Sequence, residues 1–229
     1  MIAILTTKTI HHIHFVNQVY KKFNKIICIG EKKTKNSIFK NKVFFEKQRD
    51  DYEKLLWFKN IKPKFNVNVS YFNNINSKKV LNLLNKNKIK FILVFGTSKI
   101  DLEVYKKYKN KIFNFHGGNP EKYRGLDSHY WALYHNDLRS IETCLHQVKQ
   151  KLDTGKILYR KKIKINHSTK MHELREKNTE LCINFALKFI KNTKLGRKIK
   201  LVQQKSLGRY YSFMPAILKK NLRIRKRND

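Results

Sequence analysis

Residues 112–155 read IFNFHGGNPEKYRGLDSHYWALYHNDLRSIETCLHQVKQKLDTG. The opening run, Ile112–Phe115, alternates so that Asn114 and His116 share one side of a strand while Ile112, Phe113 and Phe115 supply its apolar content. A strand ending in polar side chains fits an open α/β sheet, where ligands bind beyond the carboxyl ends of the strands. The chain then breaks at Gly117-Gly118-Asn119-Pro120, a turn whose glycines, lacking Cβ, let backbone amides approach a substrate closely. A short helix is expected over Ser128–Tyr134, and two further strands, Thr143–Val148 and Ile157–Ile165, bracket the loop that carries Asp153.

Upstream the same alternation repeats. Ile2–Leu5 is a fully apolar run of the kind buried in a parallel sheet; Ile13, Val16, Val19, Tyr20 and Phe23 follow at helical spacing, and Ile26–Gly30 is a second strand. Residues 43–58 read as an amphipathic helix on the sheet's flank, Val67–Phe72 as a strand, and Ser77 as the N-cap of a helix reaching about Asn87. Phe91–Phe95 is a buried strand, and Leu102–Tyr108 a short helix leading into Ile112. The pattern predicts a Rossmann-like α/β fold, a mainly parallel twisted sheet flanked by helices. Thr169 or Ser168 is expected to cap a last long helix, about 170–191, with Leu174, Leu181, Phe185 and Phe189 toward the sheet. Beyond it Tyr210–Pro215 is apolar enough to pack back, whereas Lys219, Lys220, Arg223, Arg225, Lys226 and Arg227 read as a solvated end.

Composition bounds the partners. The 229 residues carry 52 Lys and Arg against 16 Asp and Glu, a net charge of +36. That excess ordinarily points to nucleic acid. Here 42 of the cations are Lys, Asn numbers 23 and Ala only 4, the residue usage of A/T-rich codons, so the surface is read as compositional bias. It still steers anionic ligands inward, most strongly at low salt. Cys28, Cys144 and Cys182 have no metal-type spacing and suit a reducing compartment. No apolar run approaches a membrane span and no targeting segment is visible, so a cytoplasmic protein with no membrane partner is expected. His11, His12 and His14 cluster without a neighbouring carboxylate or thiol, and no metal site is expected there.

The conjunction of Asn114-x-His116, Pro120, Gly125, the Thr143–His146 segment and Asp153-x-Gly155 resembles the folate-dependent formyltransferases. Val94–Ile100 is similar to the strand and loop that line their folate pocket, and the likeness covers about residues 90–165. It departs after the histidine, where Gly-Gly-Asn-Pro replaces the usual small polar loop ending in Leu-Pro. The resemblance implies a catalytic domain over 1–192 with a basic C-terminal extension over 193–229.

By that resemblance Asn114, His116 and Asp153 are the catalytic residues. The co-substrate is 10-formyltetrahydrofolate, held by backbone groups of Ser98, Lys99 and Ile100 and by the loop with Lys149 and Leu152. Gly117, Gly118 and Arg124 face the acceptor, a small-molecule amine. Thr6–Thr9 lacks the Gly-Ser-Asn loop of the purine-pathway members, which argues against glycinamide ribonucleotide. A chain of this length is expected to lack the full second domain that methionyl-tRNA formyltransferases carry, which favours a nucleotide-linked amino sugar, with tRNA as the alternative. A reading of another class is a non-catalytic basic module on the same fold. It predicts that Asp153 points away from Asn114 and His116.

Overall fold

The computed structural model describes residues 1–32, 37–166 and 168–224. Its elements in chain order are β1 (Ile2–Thr7), α1 (Ile10–Lys22), β2 (Ile26–Glu31), α2 (Phe44–Phe58), β3 (Val69–Phe72), α3 (Lys78–Lys86), β4 (Phe91–Val94) and α4 (Leu102–Lys107). There follow β5 (Ile112–Gly117), β6 (Tyr123–Gly125), α5 (Ser128–Tyr134), β7 (Glu142–Gln147), β8 (Ile157–Lys162), α6 (Leu174–Lys194), β9 (Arg209–Tyr211) and α7 (Ala216–Lys219). Seven strands form one sheet in the order β3-β2-β1-β4-β5-β7-β8. The first five are parallel and joined by crossovers, and β7 and β8 are antiparallel additions.

Two apolar layers sandwich the sheet. On one face Phe15, Val16 and Val19 of α1 and Cys182, Phe185 and Phe189 of α6 pack on Phe113, Phe115 and Leu145. On the other, Val80 and Leu84 of α3 and Val104 of α4 pack on Ile29, Ile92 and Ile112. The alternation of β5 is therefore used in full. Phe113 and Phe115 fill one face, while Ile112 begins the other and Asn114 and His116 continue it into a cavity. Strand order reverses on either side of β1, so that cavity opens where an open α/β sheet offers a crevice.

Several boundaries differ from expectation. The strand expected over 67–72 begins at Val69, and the one expected to reach Ile165 ends at Lys162. Neither Ser168 nor Thr169 caps the last helix, because Thr169 Oγ1 closes a turn with the backbone N–H (3.0 Å) and Oδ1 (2.7 Å) of Asn166. A 3-10 turn, Met171–Glu173, then leads into α6, which continues to Lys194. Ser77 does cap α3, accepting from the Val80 amide. No described helix is long and apolar enough to cross a membrane.

The segment after α6 is woven into the same body. Val202 bridges Ile157, β9 pairs in parallel with β6, and Met214, Ala216 and Leu222 are buried. Lys219, expected at a solvated end, is only 2% exposed. Its Nζ lies 2.9 Å from Asp127 Oδ2 and 3.3 Å from Glu46 Oε1, so two carboxylates compensate its burial. Arg225, Lys226 and Arg227 lie outside the described residues.

Candidate active site

The antiparallel register of β5 with β7 sets Asn114 opposite His146 and His116 opposite Cys144. Directly opposed residues share a face, so the Asn114 amide and the His146 ring meet, Nδ2 to Nε2, at 3.3 Å. Asp153 enters from the β7–β8 loop in the left-handed region (φ 56°), which short polar side chains tolerate better than most. Its carboxylate lies 3.4 Å from Asn114 Nδ2, 3.2 Å from His146 Nε2 and 3.6 Å from His116 Nδ1, and it accepts from the Gly125 amide at 2.8 Å.

The tautomers follow from the neighbours. A carbonyl only accepts, so His116 Nε2 donates to Tyr123 O (2.8 Å) and His146 Nδ1 donates to Gln147 O (2.8 Å). Each ring thus turns its second nitrogen toward the same carboxylate, and a proton on either nitrogen bridges to Asp153. Burial works against the charge on Asp153. His116, a bond and charge from His146, and the Gly125 amide outweigh it and hold the carboxyl well below the usual carboxylate range. With Nε2 spent on the Tyr123 carbonyl, the remaining ring nitrogen of His116 is Nδ1, which faces Asp153.

The cavity holds about 990 Å³ and is lined by Asn114, His116 and Asp153. Of the other expected residues, Ser98, Lys99, Ile100, Lys149, Leu152 and Gly117 line it too, whereas Gly118 and Arg124 do not. Arg124 is buried and bonds Gly208 O (2.5 Å) and Leu152 O (3.0 Å), which turns its guanidinium from the cavity to the chain's own backbone. The Ser98 amide is taken by buried Glu31 (2.7 Å) and the Lys99 carbonyl by Asn76 (2.9 Å). Among the described residues the Lys99 and Ile100 amides bond no protein group. They flank an apolar wall of Val94, Ile100, Val148 and Leu152. Free backbone donors beside an apolar wall suit a flat heteroaromatic ring with polar edges.

The histidine cluster of α1 divides its duties. His12 lines the cavity with Nδ1 held by Thr7 Oγ1 (2.6 Å) and Thr9 Oγ1 (2.7 Å), and burial, helped by Arg175, lowers its pKa to about 3. His14 instead stacks on Trp57 and pairs with Glu180 at 3.1 Å. Also on the cavity are Arg49 and Arg175, which sequence reading passed over because lysine and arginine are scattered along the whole chain. Both are braced: Arg175 by Asp50 and Glu53, Arg49 by Glu46, Asp50 and the Tyr130 hydroxyl.

The sequence model for "Formyl transferase" matches residues 15–186, three quarters of the chain. The chain belongs to the formyl transferase family. A methionyl-tRNA formyltransferase from Finegoldia magna is 35% identical over 105 residues, a match covering 45% of this chain and 34% of that protein. The chain therefore spans about a third of that curated relative. Among solved structures, the formyltransferase PseJ from Anoxybacillus kamchatkensis, in complex with UDP-4,6-dideoxy-4-formamido-L-AltNAc and tetrahydrofolate, superposes with a TM-score of 0.55 at 16% identity. That match covers 92% of this chain and 85% of PseJ. Phosphoribosylglycinamide formyltransferase from Anaplasma phagocytophilum gives 0.62 at 13% identity, covering 92% and 97%. In this chain Asn114, His116 and Asp153 meet around one cavity, and Asp153 does not point away from the other two.

Proposed function

We propose that this chain transfers a formyl group from 10-formyltetrahydrofolate to the primary amine of a small nucleotide-linked amino sugar. The observation that carries the reading is the convergence of Asn114, His116, His146 and Asp153 on one cavity whose free Lys99 and Ile100 amides and apolar wall suit the donor's ring. The donor supplies an activated formyl carbon. As the amine adds to it, the formyl oxygen gains negative charge, and Asn114 Nδ2 is the donor placed for that oxygen. Its present contacts, 3.3 and 3.4 Å, are long enough to give way to a shorter one. The nitrogen that adds must shed a proton, and the Asp153 group with its two imidazoles takes it. The carbon–nitrogen bond to the donor then breaks and the departing nitrogen is protonated, which leaves a formamide and tetrahydrofolate.

The amino-sugar acceptor draws support from the cavity's volume and from PseJ, which has a UDP-linked formamido sugar in its complex. The 35% identity to a methionyl-tRNA formyltransferase favours a second acceptor, charged initiator tRNA. Release of tetrahydrofolate is the assay, run with wild type and His116→Ala against amino-sugar nucleotides and charged initiator tRNA. Turnover with one acceptor, lost in His116→Ala, supports the reaction and names the acceptor. No turnover and no folate binding would end the reading.

A further inference from the structure

The loop that presents Asp153 is held from a part of the chain that lies beyond the family model, which ends at residue 186. Gln204 Nε2 donates to two carbonyls of that loop, Asp153 O at 2.9 Å and Gly155 O at 2.8 Å. An amide nitrogen carries two hydrogens, and here each has one acceptor. The other half of the group fixes its orientation. Gln204 Oε1 is buried with no partner among the described residues, yet a flipped amide would set that oxygen against two carbonyls. The orphaned acceptor is tolerated because both donors are used.

Other contacts tie the same segment to the same loop. The bridge between Val202 and Ile157 anchors the segment two residues before Gln204. Arg124 bonds Leu152 O and Gly208 O together, so a single buried guanidinium joins the loop to the segment from the opposite side. β9 pairs with β6, whose Gly125 amide donates to the Asp153 carboxylate itself. The carbonyls of Leu152, Asp153 and Gly155 are thus all taken by side chains of these two groups, and they surround a non-glycine residue in the left-handed region.

We propose that Gln204 is a positioning residue for formyl transfer, its amide clamping the Asp153–Gly155 turn, so that the segment after α6 is part of the active site. This rests on the formyl-transfer reading for its kinetic consequence, though not for its structural one. Gln204 touches no reacting atom and acts through Asp153. Releasing the turn lets the carboxylate drift from the two imidazoles, and misplacement by about 1 Å costs on the order of a hundredfold in rate. The effect falls more on kcat than on donor KM, because the free Lys99 and Ile100 amides and the Val94 and Ile100 side of the wall lie on β4 and the segment after it, while only Val148 and Leu152 share the Asp153 loop.

The test uses the full chain as wild type, Gln204→Glu and Gln204→Ala. Glutamate keeps the shape but removes both donors, and alanine removes the group entirely. Thermal unfolding, the ¹³Cγ titration of Asp153 without ligand, and kcat and KM for formyl transfer are read for each. The expected result is a folded Gln204→Glu with kcat lower by about 30-fold or more, donor KM within about threefold, and the Asp153 titration raised toward the ordinary carboxylate range. If kcat stays within about twofold and the titration does not move, the proposal is overturned, even where the melting temperature falls. Should Gln204→Glu fail to fold, Gln204→Ala decides by the same two readouts. If wild type turns over no acceptor, formyl transfer fails, while the ligand-free titration still decides whether Gln204 sets the surroundings of Asp153.

Discussion

Gly155→Ala adds one methyl group two residues from Asp153, and the structure states what it meets. A Cβ at Gly155 would lie 1.8 Å from the Gln147 carbonyl oxygen and 2.6 Å from its carbonyl carbon, both backbone atoms of β7. Real Cβ atoms keep at least 3.0 Å, so loop and strand must part by the difference, about 1.2 Å. No rotamer relieves this, because neither partner is a flexible side chain. The same move strains the Gln147 amide bond to Lys156 O (2.9 Å) and the Gln204 bond to Gly155 O. Overpacking against backbone costs about 2 kcal/mol or somewhat more. For a chain of this size that lowers the melting temperature by roughly 4–8 °C. Asp153 rides on the moving loop, so kcat for the proposed transfer falls about a hundredfold. Stopped-flow turnover and calorimetry on the two proteins test this. A variant that keeps wild-type kcat and melting temperature would refute the view that this glycine sets the approach of the loop.

On the proposed reading Asn114→Ala removes the amide that meets the formyl oxygen, and kcat is expected to fall about 10²–10³-fold with KM nearly constant, read from steady-state kinetics. Arg175→Leu strands Glu53, which is fully buried and bonded to Arg175 by both oxygens, and urea denaturation is expected to show a loss of about 3–5 kcal/mol. Burial raises the Glu53 pKa even with its partners present, so in that variant the loss shrinks as pH falls and Glu53 takes up a proton. The native pKa of Asp153 is depressed, so its ionised form stabilises the fold above the ordinary carboxylate pKa of about 3.9, and that contribution fades as pH falls further. The stability gap between wild type and Asp153→Asn should therefore be widest near neutrality and narrow in acid, as chemical denaturation across that range will show.

What was legible followed from period and punctuation. Ile112–Phe115 alternates, and the structure uses that alternation face for face; Ser77 caps the helix it precedes. The strands that bracket Asp153 were legible for the same reason. The site's supporting groups were not, since no local pattern marks them. Arg124 is assigned to the acceptor by resemblance alone, yet its partners, Leu152 and Gly208, lie 28 and 84 residues away. Gln204 reaches Asp153 across 51 residues from a segment of weak periodicity. The polar run after α6 looked solvated because Lys219 signals surface in isolation, and only the approach of Glu46 and Asp127 makes its burial tolerable.

The surroundings of Asp153 also divide the labour within the site. A carboxylate held well below its usual range is a weak base near neutrality, so it is a poor final holder of the amine's proton. His146 Nε2 and His116 Nδ1 both face Asp153, and each ring's other nitrogen is already committed as a donor to a carbonyl. On the proposed reading the carboxylate stabilises a cationic imidazole at either ring, and the Gly125 amide holds that carboxylate in place. In this arrangement Asp153 acts by staying charged. On the proposed reading, the interactions that keep it charged, together with the clamp on its backbone, are what residues 114–204 contribute to the chemistry.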